Sequence, residues 1–448
     1  MHNRTEQFLN DPVFPLLIRM SAPNTIAFFI QAIVVLAEVW FISKLGTTSL
    51  AAVAIAFPVI MLTQQMAFGA LGGAVTSSIA RSLGAEDKER AEKLLWHSLL
   101  LSCCGYLLFF LIFFIGGENL LMALGGEGLL LEESLLYIKI FLTGAIFIWL
   151  SGMLSAALRG IGNMRFPALL MIAGSGIQVI LAGGLILGWF GLPKLGIIGA
   201  PLSAISVAAL MAIVMIFKFM HSSSNVQLKL SNLSFKKELF RDIFNVALPA
   251  SLAPIFTVGT ILILTGLVGQ FGVSALAGYG IGSRIEFLMI PLVFGIGTAM
   301  TTMVGTNIGA KKVERAERIG WLGGSFAGLF SGMIGLMLIL SSSYWINFFA
   351  TDQATYEVTK QYIEIVGLCF TFQGLGLSLY FASQGANAMK WPIIATVIRF
   401  VVAALGGWIA VNWFSSGIAG VFYAAASAMT IYGVMLVLSL KLGAWRSN

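Results

Sequence analysis

Long apolar blocks that are almost free of charge recur along the whole chain, each separated from the next by a short cluster of charged residues, Gly or Pro. Blocks of this length cross about 30 Å of hydrocarbon as helices, and in lipid the helix satisfies its own backbone within one segment. The punctuation predicts twelve spans, near residues 13–43, 49–81, 94–116, 131–158, 166–190, 195–219, 238–268, 274–308, 317–341, 356–384, 391–413 and 417–441. With 58% hydrophobic and only 10% charged residues, a soluble fold has nowhere to bury the apolar surface. The first block, from about Val13 to Ile42, is longer than a signal-peptide core, contains Glu38 and has no small-residue cleavage site after it, so it reads as a retained span.

A duplication sets the architecture. Leu83-Gly84-Ala85 through Glu89-Arg90-Ala91-Glu92-Lys93 returns as Ile308-Gly309-Ala310 through Glu314-Arg315-Ala316-Glu317-Arg318, 225 residues on. Leu45-Gly46 and Leu50-Ala51 return as Phe271-Gly272 and Leu276-Ala277 at an offset of 226. Arg159-Gly160 and Met164-Arg165-Phe166-Pro167 return as Gln384-Gly385 and Met389-Lys390-Trp391-Pro392, although Gly162 then faces Asn387 as a mismatch. Six spans per repeat is an even number, so both repeats enter the membrane in the same direction. The expected fold is an all-α membrane protein with twelve transmembrane helices in two parallel six-helix lobes, residues 1–225 and 226–448, with a cavity between them. Residues His221 to Lys237, rich in Ser, Asn and Lys, form the expected linker.

The formal charge of +7 is spread over short loops and not gathered in one patch, which argues against nucleic acid as a partner. Of the 26 Lys and Arg residues, 20 fall on one side of the expected membrane. Only Lys44, Lys139, Lys194 and Lys360 lie at or near the other, with Arg284 and Arg399 left inside spans. The positive-inside rule then puts both termini and the linker in the cytoplasm, and the chain in a cell inner membrane. Cys103, Cys104 and Cys369 sit in apolar blocks, and His2, His97 and His221 are scattered, so neither set predicts a metal site. With no Walker loop, GxSxG or HExxH, the reading is a non-enzyme without a cofactor.

These residues resemble the multidrug and toxic compound extrusion (MATE) family over essentially the whole chain. The resemblance is carried by Pro23 with an acidic residue fifteen positions later, by the Lys44-Leu45-Gly46 to Leu50-Ala51-Ala52 turn, and by the repeated Gly-Ala basic loops. Tyr279-Gly280-Ile281, Arg284-Ile285-Glu286 and the ending Val304-Gly305-Thr306-Asn307-Ile308-Gly309-Ala310 add to it. The resemblance implies an antiporter that moves small amphipathic, commonly cationic, compounds outward across membrane lipid as H⁺ or Na⁺ moves inward.

Glu38 is the acidic residue set most clearly within an apolar run, and a carboxylate there usually marks an ion or substrate path. Asn24, Gln31 and Glu38 are seven residues apart and share nearly one helical face. With Gln178 and Glu286, Asn24 and Gln31 are the candidate cavity residues, and Glu38 is the ion-coupling candidate. The family usually has Asp at that position, and span 5 carries Gln178 and Ala182 where many members have Asn and Asp. Losing one carboxylate removes hard oxygen ligands for Na⁺ but still leaves one carboxyl for a proton, so the sequence favours H⁺ over Na⁺. Pro23 breaks a backbone hydrogen bond inside span 1 and is a candidate hinge; Pro249 takes its place in the second repeat, where the counterpart of Glu38 is Leu264. Glu286 is expected to pair with Arg284 or to line the cavity, and Lys139 and Glu364 are expected to be solvated near the outer ends. Phe28, Phe29, Met61, Met66, Phe287 and Met289 read as cavity walls or packing. Two alternatives remain: a lipid-linked saccharide flippase, which would favour basic cavity residues, and a membrane enzyme or channel.

Overall fold

The computed structural model describes residues 4–221, 226–286, 289–349 and 352–446; Ser223 and Phe287 lie outside the described residues. Among the described residues every regular element is helical, and twelve helices are long and apolar enough to span a membrane. These are spans 1 to 12: Val13–Ser43, Thr47–Gly84, Lys88–Ala123, Gly128–Gly160, Arg165–Leu187, Gly196–His221, Lys237–Gly269, Val273–Gly309, Val313–Leu340, Gln353–Gly385, Lys390–Asn412 and Gly417–Lys441. The chain is an all-α membrane protein of twelve spans.

Span 3 departs most from its hydropathy limits, because helix and hydrocarbon do not end together. Asp87 caps its start by accepting the N–H of Arg90 at 2.9 Å, so the charged stretch from Lys88 to Lys93 is already helical. Span 2 carries a wider, π-helical winding from Gln65 to Leu71. Such insertions persist in helices mainly where a site needs them.

The repeats recur as backbone conformation. Gly46 and Gly272 both have positive φ, at 126° and 101°, as do Glu86 and Lys311, each at 61°. Gly162 and Asn387, a mismatch in letters, match in shape with φ of 83° and 58°. Asn is one of the few residues besides Gly that tolerate the left-handed region, so the turn survived the substitution.

Two compact units divide the chain: Ile26–Ala247 is one, and Met1–Thr25 with Leu248–Asn448 is the other. The change of unit falls inside span 1 just after Pro23 and inside span 7 just before Pro249. Within Ile26–Ala247, the linker is strapped to the start of span 3. Glu92 accepts from the N–H of Gln227 at 3.2 Å and from Asn232 Nδ2 at 2.5 Å, and Trp96 Nε1 donates to the Lys229 carbonyl at 3.0 Å. His97 is fully buried there: the Lys236 N–H donates to its Nε2 at 3.0 Å, which leaves Nδ1 to donate to the Lys93 carbonyl at 2.7 Å. In the other unit the repeat counterpart of Glu92, Glu317, holds Arg446 with two bonds of 2.7 and 2.6 Å.

Candidate functional site

Glu38 lies in the second half of span 1, partly buried, with its Oε1 accepting from Gln178 Nε2 of span 5 at 2.8 Å. Ser203 of span 6 is a further hydrogen-bonding neighbour, and Tyr137 of span 4 lies within the electrostatic reach of the carboxylate. Four helices thus bring one carboxyl group together with an amide, a hydroxyl and a phenol. All four residues belong to the unit Ile26–Ala247. One turn back along span 5, Ser175 Oγ donates to Gln31 Oε1 at 3.2 Å. The i, i+3 spacing of Ser175 and Gln178 puts both on the face that meets span 1.

The stripe on span 1 does not stay in one environment. Asn24 is buried and donates from Nδ2 to Thr298 Oγ1 of span 8 at 3.3 Å, and both residues belong to the other compact unit. Pro23 lies inside the helix next to it. Close approach of spans 1 and 8 is permitted by Gly295, where a Cβ would stand 2.7 Å from the Thr25 nitrogen.

Glu286 has partners of its own. Its Oε2 accepts from the Tyr362 hydroxyl at 2.6 Å, and the charge of Arg399 in span 11 acts on it from beyond ion-pair distance. The expected pair with Arg284 does not form among the described residues, because the Arg284 side chain points out and is exposed. Lys139 and Glu364 are both exposed, and Glu364 lies 4.0 Å from Lys360 on its own helix. Met66 and Met289 are buried and Phe29 is exposed. A groove of about 740 Å³ between spans 10 and 12 is lined by Gln361, Glu364, Cys369, Tyr423, Ser427 and Thr430 among others, and none of the candidate residues lines it.

Ser175, Ser203, Thr298, Tyr137 and Tyr362 were not read from the sequence. A signal existed for the two tyrosines, since they occupy equivalent positions 225 residues apart. In the second repeat this tyrosine bonds Glu286 of span 8, and in the first it lies within the electrostatic reach of Glu38 of span 1.

The MatE family model matches the chain twice, over residues 23–182 and 249–409. The chain belongs to the MatE family. Both matched segments open on the in-helix prolines, Pro23 and Pro249, so the family pattern itself follows the duplication. Among MatE relatives, the probable multidrug resistance protein NorM of Thermotoga maritima is 24% identical over 440 residues, covering 96% of this chain and 93% of that protein. The FAD transporter of Shewanella oneidensis is 26% identical over 419 residues and covers 90% of both chains. The fold also matches a solved MOP superfamily transporter from Pyrococcus furiosus, with a TM-score of 0.92, 24% identity and coverage of 99% and 98%. That transporter's binding pocket is described as having reverse polarity.

Proposed function

We propose that this MatE protein is a secondary active efflux antiporter that exports small amphipathic, cationic compounds in exchange for H⁺. The observation that carries the reading is Glu38, a carboxyl in the apolar first span that accepts from the Gln178 amide at 2.8 Å, with Ser203 as a further hydrogen-bonding neighbour. Its neighbours Gln178 and Ser203 are neutral, so the site gains or loses a whole charge when the carboxyl takes or yields a proton. Sodium would want several oxygen ligands, and Gln178 presents nitrogen to the carboxylate. Relatives named for multidrug resistance support the efflux direction. The charge asymmetry supports cytoplasmic termini in a cell inner membrane, and the repeats 1–225 and 226–448 are the proposed lobes. Pro23 is the proposed hinge of span 1, with Asn24, Gln31, Gln178 and Glu286 as cavity residues.

The relative named for FAD favours a second reading, export of anionic aromatic compounds. Efflux of a fluorescent organic cation from vesicles carrying a pH gradient alone or a sodium gradient alone separates the cases. Transport under the pH gradient supports H⁺ exchange. Transport under sodium alone, or no cation transport, overturns it.

A further inference from the structure

Arg399 stands near the middle of span 11, Lys390–Asn412, where an ionised side chain is costly and is retained for a partner or a ligand. It lies within the unit that contains Leu248–Asn448. Its guanidinium sits 5.2 Å from the centre of the Tyr432 ring, and Nη1 donates to Gln373 Oε1 at a long 3.5 Å. Tyr432 and Gln373 are buried, at 2% and 8% exposure, whereas Arg399 itself is only partly covered. Among the described residues no carboxylate comes within the 4.0 Å of an ion pair. Glu286 is near enough to feel the charge but takes its hydrogen bond from Tyr362. One long bond to a neutral amide leaves most of the five guanidinium donors unused.

At the offset of 225, Arg399 corresponds to Gly174, so the first half holds Glu38 within electrostatic reach of Tyr137 and no cation at this position. The second half holds a glutamate facing Tyr362 and adds a cation in a low-dielectric setting. An Arg fork there is matched to the two oxygens of a carboxylate or phosphate, and the Tyr432 ring packs against it at 5.2 Å.

We propose that Arg399, steadied by Tyr432 and Gln373, is an anion-recognising residue that receives the carboxylate or phosphate of an amphipathic aromatic substrate. The proposal rests on the efflux reading above and widens its substrates from cations to compounds that also carry an anionic group.

The test is binding to the full-length protein in nanodiscs, followed by fluorescence polarisation or quenching, with two probe pairs that differ only in the anionic group. One pair is a carboxyrhodamine and its methyl ester; the other is flavin mononucleotide and riboflavin. Arg399→Gln should weaken at least one anionic member about tenfold and leave its ester or neutral partner within about twofold. Arg399→Lys, which keeps the charge and loses the fork, should fall between, and it serves as the readout if Arg399→Gln does not fold. Equal weakening of both members of each pair, no change in either, or no binding of the anionic members by the unaltered protein overturns the proposal. Vesicle efflux is scored separately: selective loss of anion binding with no gradient-driven transport sinks the antiport reading and leaves the anion site standing.

Discussion

Arg81 and Asp242, 161 residues apart, share an ion pair in which Nη2 donates to Oδ1 at 2.8 Å, with 12% and 15% of their side chains exposed. Ser77 and Ser78 bond the same guanidinium, and Arg90 reaches Asp242 Oδ2 at 3.2 Å. Arg90 belongs to the basic motif that recurs after span 8, where its counterpart Arg315 donates to the Phe8 carbonyl at 3.1 Å and to that of Asp11. The duplicated motif thus fastens the start of the other repeat's first helix, Asp242 in span 7 and Phe8 to Asp11 before span 1.

Asp242→Asn should therefore destabilise the protein by about 2–3 kcal/mol, since it leaves the Arg81 guanidinium buried without its counter-charge. Arg90→Gln should cost no more than about 1 kcal/mol, because Arg90 is 44% exposed. Thermal unfolding in detergent compares the two; equal losses would show that burial at Arg81 does not set the scale.

For Glu38, the expected outcome is a separation of binding from coupling. Glu38→Gln mimics the protonated carboxyl, keeps an acceptor for Gln178 and removes the titration. Efflux driven by a pH gradient should vanish while expression and much of substrate binding remain, and Glu38→Asp should retain part of the rate. Wild-type efflux by a folded Glu38→Gln protein would transfer the coupling role elsewhere, with Glu286 the next candidate.

Pro23→Ala restores a backbone donor inside span 1 and removes a helix penalty of up to about 3 kcal/mol. A hinge predicts slower transport together with an unchanged or raised melting temperature. A transport rate equal to the parent's would make the proline a static bend.

The topology prediction is checked by placing a cysteine at Ser223 in a chain lacking Cys103, Cys104 and Cys369, the first two of which are exposed. An impermeant maleimide should label it only after the cells are opened. Labelling in intact cells would place the linker outside.

The spans were legible because each is a local property: a charge-poor run ended by Gly, Pro or a basic cluster. Glu38 and Gln178 were legible as polar residues in apolar runs, and their meeting followed once both faced inward. Glu286 was legible as an acid in an apolar run, but its donor was not: the repeat matches Tyr362 with Tyr137 without saying what either meets, and Tyr362 arrives from a helix 76 residues on. For Arg284 the letters suggested a partner two positions away, yet residues i and i+2 of a helix point in different directions. Nor could hydropathy show that span 1 changes compact unit after Thr25, since the helix runs unbroken through that point.

The membership of residues 1–25 bears on how the chain is made. Phe8 accepts from Asn307 Nδ2 at 3.1 Å across 299 residues, and Asn24 bonds Thr298 across 274. At about 5–20 residues per second of synthesis, Phe8 and Asn24 wait roughly 15–60 s before those partners exist. Until then the Phe8–Asn307 and Asn24–Thr298 bonds cannot form, so this stretch settles only after span 8 is made. Factors that hold span 1 in place until span 8 arrives should therefore matter more for this chain than its hydrophobicity suggests.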